Sequence, residues 1–336
     1  MLLRQRTAIL LTTTILLSIL SYGCSKRSHY IEIDGEALGT FVQVKCNTTL
    51  PTETISNIIQ EVDKESKMSM SIFSTTSLLS RINSNETDSL DCHIERNIEL
   101  ARHFSELSDG AYDITIKPLT DALGFGRSEA QNEVNVDSIL EFVGYDLLTI
   151  EDGRLHKADS RVEIDLNSIA KGYTVDLIAG RLEELEITDY MVNIGGEIRC
   201  QGYNAKGKRW AVAIETPYDG NMAMNSFEKI VRITDRAVAT SGNYRRYYLT
   251  DSGEKVAHTI DPKTGRSAVS RLLSATVIAP TCAEADAAAT MLMALGASGE
   301  AERIAELCHE EFGWEYYLIF AGEEDYTVVC SEGLNN

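Results

Sequence analysis

The sequence predicts an α+β fold. Segments such as Trp210 to Glu215 alternate apolar and polar residues, as half-buried strands do. Others, such as Ile94, Ile98, Ala101, Phe104 and Leu107, place apolar residues on one helical stripe. Strands and helices mix without a strict βαβ rhythm, which argues against a doubly wound sheet. With 336 residues and 43% hydrophobic content the chain can bury a core as one large domain or two lobes.

In chain order, an extended segment follows Gly39-Thr40 and carries Phe41, Val42 and Val44. A helix follows Pro51, with Ile55, Ile58, Ile59 and Val62 at helical spacing. Residues 68–83, rich in Ser and Thr, read as a loop leading into a short helix. The next helix ends at Asp109-Gly110. Residues 126–136 are polar and read as a surface excursion. Residues 138–164 read as helix, turn and two short strands, with Asp152-Gly153 as a hairpin signal. Asn167-Ser168 are good N-cap residues for a helix over 169–185. Met191 to Ile194 is a strand closed by Gly195-Gly196, and Tyr247 to His258 reads as a hairpin around Asp251-Ser252-Gly253. Ser274 to Ala279 is a strand, Cys282 to Leu295 a helix rich in Ala and Met, and Tyr316–Phe320 and Thr327–Cys330 closing strands.

The N-terminus stands apart from this body. Arg4 and Arg6 precede an apolar run from Ala8 to Leu20, the layout of a signal peptide and too short for a comfortable membrane span. Gly23-Cys24 directly after that run resembles a bacterial lipoprotein signal, although Ser21 stands where such signals usually carry Leu. The resemblance implies a signal peptide over 1–23, lipidation of Cys24, a linker over 24–34 and an exported, membrane-anchored body on the periplasmic side of a cell envelope. An uncleaved N-terminal anchor is the rival reading. Of the seven cysteines, the six beyond Cys24 form no CxxC pair, so zinc and thioredoxin-type chemistry lack support.

The formal net charge of -20 argues against nucleic acid as a partner, because such binding needs a basic face. It also repels phosphorylated ligands, a repulsion that a bound divalent cation would relieve locally.

Three clusters bear chemistry. Asp286 and Thr290 stand one helical turn apart on one face, two hard oxygen donors of the kind Mg²⁺ prefers. Asp286 lies among Ala283, Ala285, Ala287, Ala288 and Ala289, where a lone carboxylate is costly to bury without a cation or hydrogen bonds. The stretch Glu163 to Gly172 runs a strand into a helix start, where free N–H groups favour phosphate and Lys171 adds a point charge. In His258 to Gly265, His258 and Asp261 suit a general base with an orienting group. Taken singly, each cluster has an ordinary structural explanation. No P-loop, GxGxxG or nucleophile elbow occurs.

In their order along roughly residues 36–330, these motifs resemble the ApbE-type FAD:protein FMN transferases. The resemblance rests on Gly39-Thr40-Phe41, Met70-Ser71-Ile72-Phe73 with Ser77 to Asn83, and Asp109 to Thr115 through Pro118-Leu119 to Gly126. It continues through Val143-Gly144-Tyr145, Asp165 to Gly172, Asn193 to Gly196, Ala239 to Gly242, His258 to Gly265 and Ala283 to Thr290. It implies a flavin transferase domain over 35–332, with FAD and Mg²⁺ bound between two lobes. FMN would pass through its phosphate to a Thr or Ser of an acceptor protein, releasing AMP. Carried over by motif, Asp286, Thr290 and the Ser168 carbonyl would hold the metal. Met70, Tyr112, Gly144, Tyr145, Asp165, Lys171 and Ile260 would contact FAD. His258, with Asp261, would receive the acceptor's proton. Two alternatives stay open: an FAD pyrophosphatase, in which water replaces the acceptor, and a passive FAD-binding lipoprotein.

Overall fold

The computed structural model describes residues 29–126, 135–217, 227–242, 247–249, 255–257, 259–267, 270–296, 298–322 and 325–334. The expected signal peptide, Cys24, most of the surface excursion and His258 lie outside the described residues.

The chain opens with β1 (Tyr30–Ala37) and β2 (Thr40–Asn47), then α1 (Thr52–Met70), α2 (Leu78–Asn83), α3 (Cys92–Leu107), α4 (Lys117–Ala122) and α5 (Val136–Leu140). A hairpin of β3 (Leu148–Glu151) and β4 (Arg154–Lys157) precedes α6 (Ala170–Glu184). Then come β5 (Tyr190–Ile194), β6 (Glu197–Gln201), β7 (Trp210–Glu215), β8 (Phe227–Ile233), β9 (Arg236–Gly242), β10 (Tyr247–Leu249), β11 (Lys255–Ala257), β12 (Ile260–Asp261) and β13 (Arg266–Ser267). The chain closes with β14 (Leu272–Ala279), α7 (Cys282–Leu295), α8 (Ala301–Phe312), β15 (Glu315–Ala321) and β16 (Tyr326–Cys330).

One eight-stranded sheet organises the fold, in the order β1-β2-β5-β6-β9-β14-β15-β16, with every neighbouring pair antiparallel. That topology is the α+β class expected. Side chains alternate between its faces. Val192, Ala237, Ala275, Val277 and Leu318 join the clusters under the helices, while Met191, Val238, Ile278, Tyr317 and Ile319 join a cluster under the β7–β8 hairpin. Helix α7 packs on β9 and β14, and α6 on β5, β6 and α7. The alanines of α7 are buried, and their small side chains let the helix lie close to both sheet and neighbour.

Four features differ from expectation. The first strand begins at Tyr30, inside the expected linker, and pairs with β2 along its whole length. Helix α1 continues through Met70 because Ser66, Ser69 and Met70 extend the buried stripe of Ile55, Ile59 and Val62; the serines of 68–71 hide that stripe from composition. Helix α8 and strands β6, β8 and β9 add elements beyond those read from the sequence. Finally, neither Asn167 nor Ser168 caps α6: its N-cap is Ile169, without a side-chain cap bond. Asn167 instead donates its N–H to Asp165 Oδ1 at 2.8 Å, and Ser168 Oγ pairs with Tyr112.

Candidate active site

The missing α6 cap is supplied from another helix. Asp286 Oδ2, on α7, accepts the Gly172 N–H in the first turn of α6 at 2.9 Å. The exchange is mutual: Asp176 of α6 accepts the N–H groups of Cys282 at 2.9 Å and Ala283 at 2.8 Å, the first turn of α7. Two helix N-termini therefore meet, each neutralised by a carboxylate of the other. Arg199 holds Asp176 Oδ1 at 2.8 Å, and a Thr281–Glu284 capping box completes the start of α7. The crossing requires glycine at 172, since a Cβ there would stand 2.3 Å from the Cys282 carbonyl oxygen and 2.8 Å from Asp286 Cβ.

Asp286 is only 4% exposed. Burial, with Glu197 adding its charge, pushes the carboxyl up to about 7, while Lys171 and the Gly172 N–H pull the other way. One turn along, Thr290 Oγ1 meets Ser241 Oγ of β9 at 3.1 Å. Lys171 Nζ lies 2.6 Å from Glu197 Oε1. Burial opposes the ammonium's charge, yet Glu197 and then Asp286 raise its pKa on balance.

A line of contacts runs from here to the remaining expected residues. Tyr112 OH and Ser168 Oγ share a hydrogen bond at 2.8 Å. The Asp165 N–H donates to the Ile114 carbonyl at 2.7 Å, which ties its segment to Tyr112's. Burial raises the Asp165 carboxyl against the Asn167 N–H, which lowers it. Asp113 Oδ2 accepts the Tyr145 N–H and Thr115 Oγ1 the Gly144 N–H, both at 2.7 Å. The Tyr145 ring passes 3.6 Å from where a Gly110 Cβ would stand. Lys263 Nζ reaches Asp109 Oδ2 at 2.6 Å and so joins this segment to the β12–β13 turn. Met70 and Ile260 are buried, Met70 receiving the Asn97 amide at 3.4 Å from Sδ.

Asp261 serves the local turn. Its Oδ1 accepts the Lys263 N–H and its Oδ2 the Thr264 hydroxyl, both at 2.9 Å. His258, expected to work beside it, lies outside the described residues.

The donors around Asp286 fit a hard divalent cation. The carboxylate is nearly buried, one oxygen is engaged by Gly172, a hydroxyl follows one turn on, and the set is all oxygen. It is a sparse set: among the described residues, no group of three or more His, Cys, Asp or Glu side chains could hold a metal by themselves. Further oxygens would have to come from backbone, water and substrate. Sequence reading passed over Glu197, Asp176 and the positioning pair Asp113 and Thr115. Only the last two stood in a quoted motif. Glu197 gave a usable signal, a carboxylate in a strand directly after Gly195-Gly196.

The ApbE family's sequence profile matches residues 38–312. The chain belongs to the ApbE family. The FAD:protein FMN transferase of Vibrio cholerae is 36% identical over 293 residues, spanning 83% of this chain and 85% of its own. That of Haemophilus influenzae is 34% identical over 326 residues, 92% of this chain and 91% of its own. Among solved structures, the flavin transferase ApbE from Vibrio cholerae superposes with a TM-score of 0.80 at 30% identity, covering 91% of this chain and 98% of that one. The apo flavinyl transferase ApbE of Pseudomonas stutzeri gives 0.79 at 27% identity, covering 91% and 95%. These ApbE structures share the sheet-and-helix framework that carries the α6–α7 junction.

Proposed function

We propose that this protein transfers FMN from FAD to a Ser or Thr hydroxyl of an acceptor protein, in a reaction that depends on Mg²⁺. The observation that carries the reading is the nearly buried Asp286 at the meeting of two helix N-termini, one turn from Thr290. Helix N-termini favour phosphate and the carboxylate favours a cation, so the junction suits a metal-bound pyrophosphate. Mg²⁺, when bound, neutralises pyrophosphate charge and so favours departure of AMP. Asp286, Thr290 and the Ser168 carbonyl would hold it, and Lys171 would meet a phosphate oxygen. Asp113 and Thr115 fix Gly144 and Tyr145 for the flavin, and Met70, Tyr112, Asp165 and Ile260 complete its surroundings. The acceptor oxygen bonds to the FMN phosphorus as the bond to the AMP oxygen breaks. The hydroxyl proton passes to His258, with Asp261 holding the turn beyond it.

We assign Cys24 as a lipidated N-terminus anchoring the body to a bacterial membrane, on the strength of the charged, apolar and Gly-Cys run before it. The test mixes the protein with FAD, Mg²⁺ and a flavin-free acceptor domain. AMP release with a covalent, fluorescent flavin band on the acceptor, both lost with EDTA or Asp286→Ala, supports the transferase. AMP and free FMN without labelled acceptor support the pyrophosphatase. Bound FAD that never turns over leaves a binding protein.

A further inference from the structure

Glu197 is 4% exposed, and one of its carboxylate oxygens, Oε1, pairs with Lys171 Nζ at 2.6 Å. The other, Oε2, is buried with no hydrogen-bond partner among the described residues. A buried acceptor left without a donor is costly, so the placement of this carboxylate calls for a reason beyond packing. Its charged partner is the Lys171 ammonium. Lys171 immediately precedes Gly172, whose N–H touches Asp286, and two helix N-termini converge there. The Asp286 carboxyl feels the charges of both Glu197 and Lys171. With Asp286 and Lys171 alone the junction would carry no net charge, and an arriving divalent cation would meet an ammonium beside its only carboxylate.

We propose that Glu197 is a positioning residue that neutralises Lys171 beside Asp286, so that an ammonium and a divalent cation can occupy one junction. Glu197 acts without ligating: it fixes Lys171 and restores the negative charge that the cation requires. The inference rests on the reading of Asp286 as a cation ligand. A unit charge removed several ångströms from a divalent ion, in a partly screened site, weakens binding by roughly tenfold.

The test titrates Mn²⁺ alone, followed by electron paramagnetic resonance, into the full chain without flavin. Glu197→Gln keeps the shape and removes the charge, and should bind Mn²⁺ about tenfold more weakly, with an unchanged circular dichroism spectrum. Glu197→Asp keeps the charge and should stay within about threefold of the parent chain. The double variant Lys171→Met with Glu197→Gln removes ammonium and carboxylate together. It should return to within about threefold of the parent, and it decides the matter should Glu197→Gln alone not fold. Parent-like binding by Glu197→Gln, or a double variant still tenfold weak, overturns the proposal. Asp286→Asn separates the two levels. If it abolishes binding while Glu197→Gln does not weaken it, only the role of Glu197 is lost. If the parent chain binds no Mn²⁺, or Asp286→Asn binds as well as the parent, the cation-ligand reading falls and this proposal with it.

Discussion

At the scale of single residues, Gly172 shows how one missing Cβ sets the site. Alanine is the better helix former by about 1 kcal/mol, so propensity alone favours Gly172→Ala. Geometry opposes it, because the new carbon would stand 2.3 Å from the Cys282 carbonyl oxygen, which is backbone and cannot step aside. Overpacking of this kind costs about 1–3 kcal/mol, which exceeds the propensity gain. Gly172→Ala should therefore lower the melting temperature, and it should weaken metal binding because α6 and α7 must part where Asp286 meets the 172 amide. A thermal melt with a Mn²⁺ titration measures both; a variant at least as stable as the parent would show that the helices yield freely. Asp113 makes the complementary case. Its carboxylate holds the Thr115 N–H, the Thr115 hydroxyl and the Tyr145 N–H, each at 2.7 Å. If Gly144 and Tyr145 contact FAD as proposed, Asp113→Ala should weaken FAD binding about tenfold while leaving Mn²⁺ binding near the parent value, since its bonds go to Thr115 and Tyr145 and not to Asp286. A fluorescence titration of FAD, run against the Mn²⁺ titration, separates the two.

At the scale of elements, two helices that terminate each other explain why part of the site was legible and part was not. Asp286 and Thr290 were readable because i,i+4 spacing is local and an acid in an alanine run stands out. The α6 start is legible but its cap is not, because Asn167-Ser168 has the chemistry of a cap, whereas the carboxylate used, Asp286, lies 114 residues from the Gly172 amide it accepts. Glu197 is harder to read for a similar reason: its place after Gly195-Gly196 marks the position, but its partner Lys171 comes from another element, so the buried pair itself is not local. The Ser-rich end of α1 reads as loop by composition, and only tertiary packing, in which Ser66 accepts the Thr174 hydroxyl of α6, puts Ser66 and Ser69 on the buried stripe. The α+β class is legible because hairpin signals are local, as at Asp152-Gly153, where both residues take positive φ. The same coupling yields an expectation at this scale. Asp176→Ala frees the Cys282 and Ala283 N–H groups and leaves Arg199 with Glu183 alone at 3.2 Å, so its cost should be about 1–3 kcal/mol for each amide left unsatisfied. Asp176→Asn, which can still accept, should cost less. Urea melts of the two variants test the order; equal losses would assign the effect to the lost charge rather than to the caps.

At the scale of the whole molecule, buried carboxylates couple folding to pH and to the cation. Burial raises Asp113, Asp165, Asp176 and Asp286 above the ordinary aspartate value, Asp286 to about 7. A raised folded-state pKa means that the native chain binds more protons than the unfolded one between about 4 and about 7. Stability from this source is thus fully present below the unfolded value and is lost as pH rises towards 7. With EDTA, the protein should be more stable at pH 5 than at pH 8, the reverse of a protein whose acids are salt-bridged. Asp286→Asn cannot ionise and removes one contributor, so its stability relative to the parent should rise across that interval. A divalent cation inverts the comparison. At the proposed site it would bind the ionised carboxylate, which the proton opposes, so Mg²⁺ should stabilise the parent more at pH 8 than at pH 5, and should leave Asp286→Asn nearly unmoved. Melts of both chains at the two pH values, each with EDTA and with Mg²⁺, measure the whole cycle. A parent chain that gains no more from Mg²⁺ at pH 8 than at pH 5 would mean that the cation does not bind at Asp286, and the acidic junction would then be explained by the mutual capping of α6 and α7 alone.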